Sequence, residues 1–169
     1  MHVGLASCLN IDNVTMTIRT VAGPRPTRGG AQIVDDAVFR LLIDMEIRKA
    51  QRLRYLVSVV CIHVEAETGS AEASAAVKMV ASLIRSTDAV TARDQSTVAL
   101  LLIDAEASNL PTILQRLEVA LDGLPWSAGG ACYPHTAASA EELLTQAATM
   151  MARARQDGGR RFYIATTTS

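Results

Sequence analysis

The run from Tyr55 to Val64 constrains most strongly what this chain of 169 residues can fold into. It is nearly continuous in apolar side chains, it is rich in Val, and it is shorter than most helices. Such a run is typical of a strand that is covered on both of its faces. We therefore predict a central strand here, in a sheet that has helices packed against both sides.

The segments around this strand alternate between helical and strand patterns. From residue 35 the apolar positions follow helical spacing, and charged side chains, mostly basic in the second half, take most of the other side. The same reading predicts further helices over 71–84, 108–121 and 139–155, and further strands over 88–93, 98–103, 126–132 and 161–165. The two strands on either side of residues 94–96 form a hairpin.

The element order from residue 35 is therefore α-β-α-β-β-α-β-α-β. It contains a βαββαβ kernel, which is the ferredoxin-like arrangement. We expect an α/β (α+β) fold with a central, mostly antiparallel sheet of about five strands, flanked by helices.

Polar residues mark the starts of two of these helices. Ser108 or Asn109 is expected to cap the third helix, whose first turn holds Pro111. Ser139 and Glu142 have the spacing of a capping box at the start of the last helix.

Residues 23–30 have the composition of a linker, because proline removes backbone donors and glycine raises the entropy cost of ordering. We therefore divide the chain into an N-terminal extension with its Pro/Gly linker over 1–31, one domain over 32–165 and a tail over 166–169. Within the extension, the alternating pattern of residues 10–21 predicts one strand.

The charge balance limits the partners of this chain. Sixteen Lys and Arg against 17 Asp and Glu give a net charge of −1, so we expect no nucleic-acid partner. No window approaches the roughly 20 apolar residues that span a bilayer, and the first residues lack the basic segment of a secretory signal. We therefore expect a cytoplasmic protein without a membrane span.

The chain has three cysteines, Cys8, Cys61 and Cys132, and their spacing is not that of a metal site. We expect them to be reduced and mostly buried.

Four landmarks follow one another along the chain: the first-helix segment Phe39–Arg52, the RxxD motif Arg85-Ser86-Thr87-Asp88, the strand and turn Ser127–Pro134, and the final-helix segments Ser139–Leu144 and Ala154–Gly158. Their order is similar to that of the GGDEF family, the diguanylate cyclase domain. Five residues separate Asp88 from Asp94, which is the family's spacing between RxxD and its signature hairpin. Residues 33–165 therefore resemble a GGDEF domain, and the resemblance implies the GGDEF fold of the nucleotide cyclases.

The signature hairpin departs from the family pattern. Where the family has two glycines followed by Asp-Glu-Phe, this chain has Asp94, Gln95, Ser96, Thr97 and Val98. The bare glycine backbone that lets a phosphate approach is missing, and so are the carboxylates that hold Mg²⁺. We therefore expect a degenerate domain with no catalytic residues, no cofactor and no metal.

The family's second metal-ligand position falls near His63, with Glu65 two residues on. Imidazole suits transition metals better than Mg²⁺, and two ligands make a weak site, so a strand-end histidine satisfied by backbone or water is the alternative. The family's guanine-reading positions have no counterpart in residues 65–70. Arg155 occupies the place of the family's phosphate-binding lysine, and the resemblance implies that it is a phosphate contact.

Arg85 and Asp88 allow two interpretations. In the family this motif forms an inhibitory site for cyclic di-GMP, in which Arg binds guanine or phosphate and Asp accepts from the guanine edge. The alternative is structural: an Arg at a helix end beside an Asp that caps the next turn.

The sequence therefore predicts a catalytically inactive GGDEF-like signalling domain that binds cyclic di-GMP through RxxD and acts through a protein partner or a homodimer. One alternative is an interaction or dimerisation scaffold without a ligand. The other is a nucleotide-processing enzyme with altered metal ligands.

Overall fold

This computed structural model describes residues 30–65, 71–121 and 124–166, which form six strands and four α-helices. In chain order these elements are β1 (Gln32–Ile33), α1 (Asp36–Leu53), β2 (Val57–Val64), α2 (Ala71–Leu83), β3 (Ala89–Ala92), β4 (Thr97–Ile103), α3 (Leu110–Ala120), β5 (Trp126–Tyr133), α4 (Ala140–Gln156) and β6 (Phe162–Ile164).

All six strands belong to one sheet with the order β1-β3-β4-β2-β5-β6. β2 lies inside the sheet and is antiparallel to both of its neighbours, β4 and β5. β3 and β4 form the expected antiparallel hairpin, whereas β1 and β6 add parallel strands at the edges. The α/β fold class with a mostly antiparallel sheet is thus confirmed, and so is the central position of the Val-rich run.

Helices cover both faces of β2, as its unbroken apolar pattern required. Val60 and Ile62 pack into a core that α2 and α3 close, through side chains such as Val77 and Leu117. Alternate residues of the strand face the opposite way, into a second core closed by α1 and α4; its residues include Val59, Cys61, Phe39, Ile43, Leu143 and Leu144. Because β2 is buried on both sides, packing against the helices holds the strand and the residues at its two ends in place.

Of the helices α1, α3 and α4, two begin after a residue whose side chain caps the helix backbone. Asp35 accepts from the backbone N–H of Val38 at 2.8 Å, and Ser139 accepts from Glu142 at 3.2 Å, which confirms half of the predicted capping box. The reciprocal bond differs, because the Glu142 carboxylate accepts from Ala138 rather than from Ser139.

The predicted cap of α3 is wrong. A short 3-10 turn, Ala107–Asn109, precedes this helix, and Asn109 already has right-handed helical backbone angles and makes no capping bond with its side chain. Ser108 donates to the Glu106 carboxylate instead. The turn supplies the backbone partners that a capping side chain would otherwise provide.

Several sequence predictions lie outside the described residues: the strand over 10–21, the linker over 23–30 apart from its last residue, and Cys8. Cys61 and Cys132 are free and buried, as expected. None of the described helices is both long and apolar enough to cross a membrane.

Candidate functional site

The turn between β3 and β4 and the start of β4 hold the residues that the resemblance aligns with the family signature. Asp94 and Gln95 are exposed at its tip, whereas Thr97 and Val98 are buried in β4. The Asp94 carboxylate folds back onto the turn, where Oδ1 accepts from the backbone N–H of Ser96 at 2.8 Å. Partial burial opposes ionisation, yet the bonds from Ser96 and Thr97 prevail and hold the pKa of Asp94 below its ordinary value.

The end of β2 brings His63 close to this turn. His63 lies opposite Thr97 of β4 and Ser127 of β5, and it is partly buried. Burial and then the positive charge of Arg155 lower the pKa of the imidazole, while Asp94 and Glu65 act in the opposite direction. His63 is therefore held mainly in its neutral form at neutral pH.

These side chains do not suit the Mg²⁺ that the resemblance implies. Mg²⁺ is held by hard oxygen ligands, and here the turn offers one carboxylate, already bonded to its own backbone, beside an imidazole. Among residues 30–65, 71–121 and 124–166, no three His, Cys, Asp or Glu side chains form a group that could hold a metal ion.

A groove of about 630 Å³ lies beside this turn, between α1 and α4. Arg40 and Arg93 stand on its wall, and each points its Nε at a different carboxylate oxygen of Asp36, at 2.9 and 3.3 Å. Asp94 and Glu141 also line the groove. Because its acidic groups balance its two guanidinium groups, the groove offers no excess of positive charge to a phosphate.

The RxxD motif lines a separate cavity of about 350 Å³, where the end of α2, the start of β3 and the side of α3 meet. Arg85 is exposed on its wall, and Asp88 is only 4% exposed. The structure therefore brings the two residues of the motif to one cavity but gives them different surroundings.

Both oxygens of the Asp88 carboxylate bind backbone. Oδ2 accepts from the N–H of Arg85 at 3.1 Å, and Oδ1 accepts from the N–H of Ile103 at 3.0 Å. Burial raises the pKa of Asp88, and the bonds from Ile103 and Arg85 only partly offset that effect. This geometry matches the structural interpretation of Asp88 and leaves the Arg85 side chain facing solvent.

The sequence interpretation missed Arg116 at this cavity. Arg116 projects from α3, lines the same cavity as Arg85, and donates through Nη2 to the carbonyl oxygen of Leu83 at 3.0 Å. The motif gave no signal for it, because Arg116 lies 31 positions after Arg85 and reaches the cavity only through the packing of α3 beside α2. The cavity thus presents two guanidinium groups.

Arg155 lies in the last turn of α4, near His63, and is exposed. Its neighbour Arg153 stacks over the Tyr163 ring, 5.4 Å from the ring centre. The phosphate contact at Arg155 stays a prediction.

No protein-family model and no curated protein matches this sequence, but solved structures do match its fold. One is the GGDEF domain of PA1120 (YfiN or TpbB) from Pseudomonas aeruginosa, at 18% identity and a TM-score of 0.73, covering 80% of this chain and 98% of that one. Another is the active GGEEF domain of a diguanylate cyclase from Vibrio cholerae, at 12% identity and a TM-score of 0.71, covering 81% and 100%. A third is the GGDEF domain of DgcB from Caulobacter crescentus in complex with c-di-GMP, at 14% identity and a TM-score of 0.65, covering 79% and 89%.

The sheet order, the two helical layers and the exposed β3–β4 turn define a fold of the nucleotide cyclase type. More narrowly, the chain has the fold of a GGDEF domain, which confirms the resemblance inferred from the four sequence landmarks.

Proposed function

We propose that this chain is a catalytically inactive GGDEF-fold signalling domain that binds cyclic di-GMP at the Arg85 cavity and passes the signal to a protein partner. The proposal of inactivity rests on the β3–β4 turn, where the one carboxylate, that of Asp94, is bonded to the Ser96 backbone. A cyclase must hold a divalent cation and stabilise a transferring phosphoryl group, and Ser96 and Thr97 offer no charge for either task.

The proposal that the chain binds cyclic di-GMP rests on Arg85 and Arg116. Arg85 and Arg116 line one cavity, and cyclic di-GMP carries two phosphates and two guanines, which are the groups that guanidinium recognises through charge-assisted bonds. A volume of about 350 Å³ suits one half of the dinucleotide, with the other half extending towards solvent. In this proposal Asp88 positions Arg85 through its backbone rather than touching the ligand.

Calorimetric titration of the full chain with cyclic di-GMP tests the proposal. We expect Arg85→Ala and Arg116→Ala each to weaken binding by about tenfold to a hundredfold, which corresponds to the loss of one charge-assisted contact. Arg48→Ala is the matched control, since Arg48 is an exposed arginine on α1, and it should bind like the wild type. Thermal melts of all four proteins establish that the variants are folded.

A ligand-free scaffold is the second candidate, and the bonds of Asp88 to Arg85 and Ile103 favour it. These bonds give the motif a structural purpose that needs no ligand. If the wild-type chain shows no heat with cyclic di-GMP at about 100 μM, the receptor proposal is wrong and the scaffold remains.

A further inference from the structure

Strand β6 leaves one edge of the sheet open. It pairs with β5 on one side, and within the described residues no strand lies on its other side. Alternate residues of β6 bind β5, since the carbonyl oxygen of Arg161 accepts from that strand and the N–H of Ala165 donates to it. The backbone N–H and C=O groups of Phe162 and Ile164 therefore point away from the sheet. Such open groups are a template on which an extended peptide can add a strand.

The side chains of β6 give the two faces of this edge different chemistry. Phe162 and Ile164 pack against the core that α2 and α3 close, and both stay partly exposed. Tyr163 faces the other way, towards α4, where the guanidinium of Arg153 stacks over its ring. An added strand would therefore meet apolar side chains on one face and the surroundings of Tyr163 on the other.

The segment around Tyr163 has an excess of positive charge, in a chain whose net charge is −1. The Asp157 carboxylate accepts from the Tyr163 hydroxyl at 2.8 Å, and Arg161 interacts with the same hydroxyl. Residues 153–161 contain no other acid and four exposed arginines, the arginine cluster: Arg153, Arg155, Arg160 and Arg161. In the part of the chain that the structure describes, none of these four guanidinium groups forms an ion pair.

This charge selects the kind of chain that can use the edge. Two copies paired through β6 would bring their arginine clusters close together, and like charges at a sheet edge oppose such pairing. A chain with Asp or Glu at alternate positions would instead place carboxylates beside Arg153 and Arg161. A nucleic acid or an anionic membrane would match the charge but leave the open backbone groups of β6 unused.

We propose that β6 is the docking edge for an extended acidic peptide of a partner protein, in which acidic and apolar side chains alternate. The acidic side chains lie on the α4 side, beside Arg153 and Arg161, and the apolar ones lie beside Phe162 and Ile164. This edge would give the proposed signalling domain its contact with a partner, so its signalling role rests on the proposed function. Docking of the peptide itself needs no cyclic di-GMP.

The edge is short, and this sets the expected strength of docking. β6 has three residues, of which two offer backbone groups to a new strand, so the peptide gains few backbone bonds. We expect a Kd of about 10 to 100 μM at low salt, and weaker binding as added salt screens the arginine cluster.

Fluorescence anisotropy of a labelled peptide of about eight residues, alternating valine and glutamate, tests docking on the full chain without cyclic di-GMP. Arg153→Glu and Arg161→Glu should each weaken binding at least about tenfold, because each replaces an attraction by a repulsion. The matched control is Arg48→Glu, the same change at an exposed arginine of α1, which should bind like the wild type. Thermal melts establish that the variants are folded. An equal loss in Arg48→Glu, or no binding by the wild type up to about 1 mM, would overturn the proposal.

Two N-methylated peptides test the strand pairing. Methyl groups on all valine nitrogens, or on all glutamate nitrogens, leave the charge unchanged, and only one of these two sets of N–H groups can face β6. One peptide should therefore bind at least about tenfold more weakly than the parent, while the other binds like it. Equal binding by the two would show that charge alone holds the peptide, as it would hold a nucleic acid, and would overturn the proposal.

The docking edge and the cyclic di-GMP site can fail separately. Asp88 leads into β3, which β4, β2 and β5 separate from β6 in the sheet. Peptide binding without any heat from cyclic di-GMP would support the docking edge and overturn the receptor proposal. Heat from cyclic di-GMP without peptide binding would overturn the docking edge and support the receptor.

Discussion

The carboxylate of Asp88 accepts the backbone N–H of Ile103 at 3.0 Å and so ties the start of β3 to the end of β4, fifteen residues later. Its other oxygen closes the turn after α2 by accepting from the backbone of Arg85. One buried side chain thereby satisfies two backbone donors that belong to different elements. Removing it leaves both donors without a partner in a place that water reaches poorly.

Asp88→Ala should therefore lower the free energy of unfolding by about 2 to 4 kcal/mol, since each orphaned buried donor costs about 1 to 3 kcal/mol. Arg85→Ala should change it by less than about 1 kcal/mol, because the Arg85 side chain is exposed and its backbone N–H is kept. Urea unfolding of both variants beside the wild type measures the difference. Equal stability losses in the two variants would contradict the assigned roles.

The sequence predicted the architecture because the strongest signals coincide with the most buried elements. The apolar pattern over 55–64 can be satisfied only inside a sheet, and β2 lies there. The hairpin around Asp94 and the helix that Ser139 caps were predicted from equally local signals. The edge strand β1 was missed, because two residues are too few to show a period.

The candidate site was less predictable, because tertiary packing assembles it. The RxxD spacing located Arg85 and Asp88, but the bond from Asp88 to Ile103 depends on strand register, which no motif encodes. Arg116 reaches the cavity only because α3 packs beside α2. The ion pair between Arg93 of the β3–β4 turn and Asp36 of α1 likewise joins two segments far apart in sequence.

Gly129 is the point of closest approach between α4 and β5. A Cβ there would overlap the backbone N of Met151 and O of Ala147, which cannot move without lifting the helix from the sheet. At Gly130 a Cβ would lie 3.1 Å from the ends of the Leu110 and Phe162 side chains, which can shift.

Gly129→Ala should therefore cost more than about 3 kcal/mol or prevent folding, whereas Gly130→Ala should cost less than about 2 kcal/mol. Circular dichroism melts of the two purified variants compare them directly. A Gly129→Ala protein that melts within a few degrees of the wild type would show that α4 sits farther from β5 than the structure has it.

Incubation of the chain with GTP and Mg²⁺ or Mn²⁺ should yield no cyclic dinucleotide above a protein-free blank. The reason is the donor set, in which Asp94 at the turn is bonded to Ser96 and His63 of β2 falls near the position where the resemblance implies a carboxylate ligand. The active GGEEF domain from Vibrio cholerae serves as the positive control, assayed by chromatography under the same conditions. Product that accumulates in proportion to the amount of this chain would show that the turn supports catalysis with other ligands.

Titration of His63 should make the stability of the chain depend on pH. Burial and then Arg155 hold the pKa of the folded chain's imidazole below its ordinary value of 6.5, so the folded state binds this proton less tightly than the unfolded state. The contribution of His63 to the free energy of unfolding is therefore fully present above pH 6.5 and is lost as the pH falls from there towards the lowered pKa.

His63→Gln should remove this slope of stability against pH. Arg155→Gln should reduce the slope, because it removes the second of the two causes of the lowered pKa. Urea unfolding at steps between about pH 7 and pH 5, above the range in which ordinary carboxylates titrate, measures all three proteins. The same slope in His63→Gln as in the wild type would mean that other groups produce it, and that the imidazole is not held neutral by its place at the end of β2.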